Sequence, residues 1–270
     1  MKIFFARAPF DPVTEAEMAK ILACLKEEKP ERIILKPSKE GYADYAQRMR
    51  MLKAAAKPWR KLTVSDDIPS GAEELAVDAS SEETVRGGRY DLAAPGIRRI
   101  LIEECPYLEA TVDHMCNPHR AAHSRAVAGV CRDLAKAHHM DEEQAYRAGL
   151  MHDLTKGCSD EYNRRIVAVY APDMLSVSPK VWHSFTAPVY LHRYMGLRDR
   201  AILKAVWHHT LGDGTSPLDH ILYIADKTEP TRGYDASHEL DVSRRSLKEG
   251  AALVLSESKQ YMREKEGLNV

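Results

Sequence analysis

SRAVAGVCRDLAKAHHMDEEQAYRAGLMHDLTKG, residues 124–157, is where the fold of the second half of the chain is legible. Its first part carries an apolar stripe through Val127, Val130, Cys131 and Leu134, the spacing of one helix face. Asp141 then offers an N-cap with Gln144 three residues on, and a second helix is predicted to run to Gly157, which closes it in a left-handed conformation. The end of that second helix is chemically unusual, because His152, Asp153 and Lys156 follow an apolar segment. Buried charge is costly unless it is paired or holds a metal. The plain reading is a satisfied histidine at a helix end. The alternative is half of a metal site, which requires partners elsewhere in the chain.

Further helices are predicted at 199–212, with a glycine stop, and at 218–230, halted before Pro230. No strand-like alternation appears in this half, so it reads as an all-α helical bundle. All twelve histidines lie at or beyond position 114. The partner candidates are His123 in RAAHSRAV, His183 in WHSFTAP, His209 in WHHTLG and Asp226 in YIADKTEP. Asp226 follows Leu222 by four residues and shares its core-facing stripe, where a carboxylate needs a cation. Together, His123, His152, His183 and His209 with Asp153 and Asp226 suffice for two metal ions with Asp153 shared. This nitrogen and oxygen set suits iron, manganese or zinc rather than calcium. Within the doublet His208–His209, His209 is preferred because Thr210 and Gly212 follow it as a tight segment, and His208 remains the alternative.

The first half alternates differently. KIFFA (2–6), ERIILKPS (31–38) and KLTVSD (61–66) read as strands. TEAEMAKILACLKEEK (14–29), with Thr14 as cap and Glu17 three residues on, and YADYAQRMRMLKAAAK (42–57) read as helices. Alternating strands and helices imply a small parallel α/β sheet, with room for a phosphate at the first strand–helix turn. VDASSEETVRGGRYDLAAPG (77–96) reads as a loop ahead of a connector. Two domains are expected, 1–105 and 106–270.

Composition narrows the function classes. The 270 residues are 44% hydrophobic and 29% charged with net charge −1, which argues against a bulk electrostatic grip on nucleic acid or anionic membrane. No run of about 18 apolar residues is present to span a membrane. The opening MKIFFARAPFDP is too short an apolar run for a signal peptide, and Asp11 and Pro12 interrupt it. Five irregularly spaced cysteines without a CxxC pair fit a reducing cytoplasm.

The order H…HD…H…H…D over about a hundred residues resembles the HD-domain phosphohydrolases. Over residues 115–260 the match is narrower: the chain resembles the bacterial HD hydrolases that split diadenosine tetraphosphate symmetrically. HHTLG departs by one residue from that family's His-Thr-Thr-Gly, and ADKTEPTR from its Ala-Asp-Tyr-Ile-Glu-Pro. The resemblance implies one metal on His123, His152, Asp153 and Asp226, and a second on Asp153, His183 and His209, with iron the expected ion. It further implies hydrolysis of the dinucleotide to two ADP, with Asp153 and Lys156 as catalytic residues and Arg120, Thr210 and Arg232 on the substrate. Another nucleotide as substrate, or a nucleotide-sensing role, stands as the alternative. A homodimer is compatible with this reading.

Residues 1–105 resemble nicotinate-nucleotide adenylyltransferases through MKIFFARAPFDPVTEAEM, the segment LKPSKEGYADYAQRMRMLKAA…KLTVSDD and SSEETVR. Arg7 and Ala8 replace that family's small glycines, and Thr14 and Glu17 replace its two histidines. Those histidines stabilise charge developing on phosphate, which a glutamate repels. The domain therefore reads as a degenerate transferase that binds a nucleotide or serves as scaffold. Residual adenylyltransferase activity is the remaining alternative.

Overall fold

The computed structural model describes residues 2–266. The chain divides into two compact units, Met1–Thr111 with Arg193–Gly196, and Val112–His192 with Leu197–Val270.

In the first unit, β1 (Ile3–Ala8), β2 (Arg32–Pro37), β3 (Leu62–Val64) and β4 (Glu73–Glu74) form one parallel sheet in the order β3-β2-β1-β4. Ile3 pairs with Arg32 and Ile33 with Leu62. Ile33, Ile34 and Leu35 are consecutively buried, as a strand covered on both faces requires. The two-residue β4 was not foreseen, because Glu73 and Glu74 are exposed and carry no apolar pattern. Helix α1 (Glu15–Glu27) starts on the expected capping box of Thr14 and Glu17. Helix α2 (Tyr45–Ala56) starts later than expected, on Asp44, whose side chain accepts from Gln47 N.

The predicted loop at 77–96 contains a short helix, α3 (Glu82–Arg86), because Glu82 and Val85 turn inward together. Helix α4 (Arg98–Glu104) follows. Tyr107 donates its hydroxyl to Asp11 Oδ1, and Thr111 to the Arg86 carbonyl, so this unit extends past residue 105. Glu17 is fully buried, and its Oε2 accepts from Thr14 N (2.8 Å) and Thr14 Oγ1 (3.0 Å). That carboxylate is committed to the helix cap. A cleft of about 770 Å³ opens where β1 and β2 end, lined in part by Arg7, Lys36 and Lys39.

Helix α5 (Leu108–Met115) carries the chain into the second unit, which is helical: α6 (Pro118–Ala137), α7 (Glu142–Met151), α8 (Asp160–Tyr170), α9 (His183–Tyr190), α10 (Arg200–His208), α11 (Pro217–Thr228), α12 (Ser237–Arg245) and α13 (Leu247–Glu266). Asn117 caps α6 and Asp141 caps α7 through side-chain bonds to Arg120 N and Gln144 N. Asp199 caps α10, and Gly212 beyond it has φ +68°.

One expectation fails at the opening motif. Helix α7 stops at Met151, well before Gly157, and Gly157 is not left-handed. Residues 152–158 instead make tight turns, with Leu154 N bonded to Met151 O, Lys156 N to Asp153 O and Cys158 N to Thr155 O. Gly149 lets α6 and α7 cross closely: a Cβ there would stand 2.5 Å from Ala128 Cα. Among the described residues no helix is long and apolar enough to cross a membrane, and no cysteines are disulfide-bonded.

Candidate metal centre

Five stretches of the second unit each bring side chains to one point. His123 comes from α6, His152 and Asp153 from the turn after α7, His183 from the start of α9, His209 from the cap of α10, and Asp226 from α11. All six are buried. Local packing explains two of these placements. Val167, Ala171, Trp182 and Phe185 form an apolar cluster with Trp207 and Leu211 packed against it, and the Phe185 and Trp207 rings meet edge-on at 5.0 Å. This clamps the start of α9 to the end of α10 and brings His183 Nε2 to 3.2 Å from His209 Nε2. A polar network holds the turn after α7: Thr155 Oγ1 lies 2.7 Å from Thr186 Oγ1, and Thr186 bonds Asn163 Oδ1.

Asp153 Oδ1 is the hub. It lies 3.1 Å from His183 Nε2, 3.6 Å from His152 Nε2 and 3.7 Å from His209 Nε2. Two overlapping triads result, His123–His152–Asp153 and Asp153–His183–His209, each with its donor atoms within 4.8 Å of one another. Asp226 Oδ1 adjoins the first triad, 3.1 Å from His123 Nε2 and 3.7 Å from His152 Nε2.

Outer partners fix the rings. His152 Nδ1 donates to Gly149 O (2.7 Å) and His209 Nδ1 to Val206 O (2.6 Å), which leaves each Nε2 with its lone pair inward. His123 Nδ1 meets Glu229 Oε1 at 2.9 Å. Among the described residues, His152 Nε2 and Asp153 Oδ1 are buried with no aligned hydrogen bond, despite the close approach of His183. Two orphaned polar atoms facing each other at the hub are costly unless a cation joins them, and the nitrogen and oxygen donors fit a transition metal.

The protonation states agree. Burial pushes His152 down to about 4, and burial lowers His183 and His209 as well. For His123, burial works downward, but Asp226 and Glu229 outweigh it and the net shift is upward. Burial alone would raise Asp153, yet His152, His183 and His209 hold it well below the usual carboxylate range. Asp226 is likewise lowered against its burial, by Lys227 first and then His123. Ionised carboxylates beside mostly neutral imidazoles are the forms that bind metal.

Four cations surround this core. Lys156 Nζ donates to Asp153 Oδ2 (2.9 Å), with Arg120 Nε 3.9 Å from the same oxygen. Lys227 Nζ donates to Asp226 Oδ2 (2.8 Å) and Arg232 Nη2 to Asp226 Oδ1 (2.9 Å). Thr210 Oγ1 lies 3.2 Å from His209 Nε2 and 3.4 Å from His183 Nε2. His123, His152, Asp153, His183, His209 and Asp226, with Arg120, Lys156, Thr210 and Arg232, thus lie at or beside the cluster. His208 points elsewhere, its Nδ1 2.7 Å from Asp213 Oδ1. Sequence reasoning missed Gly149, Glu229 and Lys227. The spacing of Glu229, three residues after Asp226, was the available signal for that residue.

Residues 120–231, within the helical unit, match the family model of the HD domain. Its relatives can be named more closely. A "Probable nicotinate-nucleotide adenylyltransferase/Ap4A hydrolase" of Mycoplasma pneumoniae is 27% identical over 64% of this chain and 52% of its own length. A "Bis(5'-nucleosyl)-tetraphosphatase, symmetrical" of Bacillus subtilis is 29% identical over 48% of this chain and 72% of its own. The chain spans about half the length of the mycoplasma relatives. The solved structure of a "predicted HD superfamily hydrolase involved in NAD metabolism" from Clostridium acetobutylicum shares the fold, with TM-score 0.55 and 23% identity over 60% of this chain and 89% of that one.

Proposed function

We propose that the HD domain is a metal-dependent phosphohydrolase that cuts diadenosine tetraphosphate symmetrically into two ADP. The observation that carries this reading is the pair of triads joined at Asp153 Oδ1, with that oxygen and His152 Nε2 left orphaned. His123, His152, Asp153 and Asp226 would hold one ion, and Asp153, His183 and His209 the other, with iron as the proposed ion and manganese or zinc as alternatives. When bound, such a pair acidifies water and neutralises phosphoryl oxygens.

The chain's own residues do the rest. The Gly149 and Val206 carbonyls hold His152 and His209 in the tautomer that presents Nε2. Asp153 keeps the two triads in register. Lys156 and Arg120 stand on the far side of that carboxylate, where an ammonium and a guanidinium meet phosphoryl oxygens. Arg232 is the matching clamp beside Asp226, and Thr210 offers a hydroxyl at the His183–His209 edge. Cytoplasmic residence is part of the proposal and rests on the five cysteines without a disulfide.

The substrate is favoured by the names of the relatives and by the cations on both central carboxylates. The test is anaerobic purification, metal quantification and product analysis. About two metal ions per chain, with ADP as sole nucleotide product, is the expected result. AMP with ATP as products, or turnover in metal-stripped protein, would refute it.

A further inference from the structure

Resting on the hydrolase reading, we propose that Lys227 is a specificity-determining residue: with Arg232 it grips the phosphates on the Asp226 side of the bond to be cut, while Lys156 and Arg120 grip those on the Asp153 side. Each central carboxylate has a lysine on Oδ2 and an arginine beside it, Arg120 3.9 Å from Asp153 Oδ2 and Arg232 2.9 Å from Asp226 Oδ1. Asp153 gives Oδ1 to the imidazoles and Oδ2 to Lys156 at 2.9 Å. Asp226 gives Oδ1 to His123 and Arg232, and Oδ2 to Lys227 at 2.8 Å. Each carboxylate therefore has one lysine and one arginine of its own.

Hydrolysis of a phosphate monoester needs cations around one phosphoryl group. Cleavage of a phosphoanhydride develops charge on the attacked phosphate and on the leaving one, and a doubled set of cations answers that need. Lys227 is suited to the role. Its side chain is 25% exposed, and Nζ lies 5.5 Å from the Tyr223 ring, one turn earlier on α11. Its carbonyl accepts from the Tyr234 hydroxyl (2.8 Å), which fixes the backbone at the end of α11. A cation held at Asp226 Oδ1 would weaken the carboxylate's hold on Lys227 at Oδ2 without sharing its oxygen, and the ammonium, on a flexible four-carbon stem, would then reach the nearest anion, substrate phosphate.

Lys227→Met keeps the stem over Tyr223 and removes only the charge. Lys227→Arg restores it. ADP and AMP are titrated calorimetrically into manganese-loaded wild type and both variants, with manganese per chain measured alongside. ADP affinity should fall about tenfold in K227M, AMP affinity about threefold or less, and K227R should stay within about threefold of wild type. Manganese content should not change. With diadenosine tetraphosphate, KM should rise about tenfold at nearly constant kcat. Unchanged ADP affinity in K227M, or loss of manganese in step with ADP binding, overturns the proposal. If wild type releases no ADP from the dinucleotide, the hydrolase reading fails, while the ADP and AMP titrations still decide the role of Lys227.

Discussion

Gly149→Ala should loosen the metal centre without touching a ligand. The added Cβ would stand 2.5 Å from Ala128 Cα and 2.8 Å from Ala128 N. Carbon atoms pack at about 3.5–4.0 Å, so α6 and α7 must part by roughly 1 Å. The obstruction is backbone and cannot rotate aside, which puts the overpacking cost near the upper end of its range, about 3 kcal/mol. Alanine's better helix propensity returns about 1 kcal/mol, leaving a net loss of about 2 kcal/mol.

Gly129 on α6 is the control, because a Cβ there meets nothing within 4 Å. Gly129→Ala should therefore gain about 1 kcal/mol. The two variants should differ by about 3 kcal/mol, or roughly 6–12 °C in Tm by scanning calorimetry. Because Gly149 O orients His152, manganese affinity should fall about 10- to 100-fold in G149A and stay unchanged in G129A. A G149A protein that melts at or above wild type and binds manganese equally would refute the claim that this crossing sets the site.

Asp153→Ala removes the atom both triads share, so turnover should vanish and bound metal should drop below half of wild type by mass spectrometry. Retained activity would sink its bridging role. Lys156→Ala should lower kcat about 10- to 100-fold with metal content intact, since its ammonium bonds only the outer carboxylate oxygen. Manganese at about a hundred times its Kd should stabilise the protein by about 2.7 kcal/mol, visible as a raised Tm that D153A does not share. In the first unit, burial raises Glu17 from 4.5 to about 8, against the Thr14 amide and with help from Glu82. The folded state favours the neutral acid, so stability is full below about pH 4.5 and is lost as pH rises through about 8. Amide exchange across residues 15–27 should speed up over that window, and Glu17→Gln should flatten the dependence.

The sequence by itself determined the elements whose causes are local. Thr14 with Glu17, Asp141 and Asp199 cap helices that begin where their side chains meet backbone amides two or three residues on, and Gly212 takes the left-handed backbone beyond α10. It also supplied the six candidate ligands, because charged groups on apolar stripes are anomalous in any fold. Tertiary structure decided what depends on distant neighbours. His123 and Asp226 are 103 positions apart, and only packing brings them to 3.1 Å. The choice of His209 over His208 rests on which ring the α9–α10 clamp turns inward. The early end of α7 and the need for Gly149 were set by the bundle around them. Capping and periodicity act within about four residues of chain, whereas a metal centre is made by side chains that meet only after the bundle has closed.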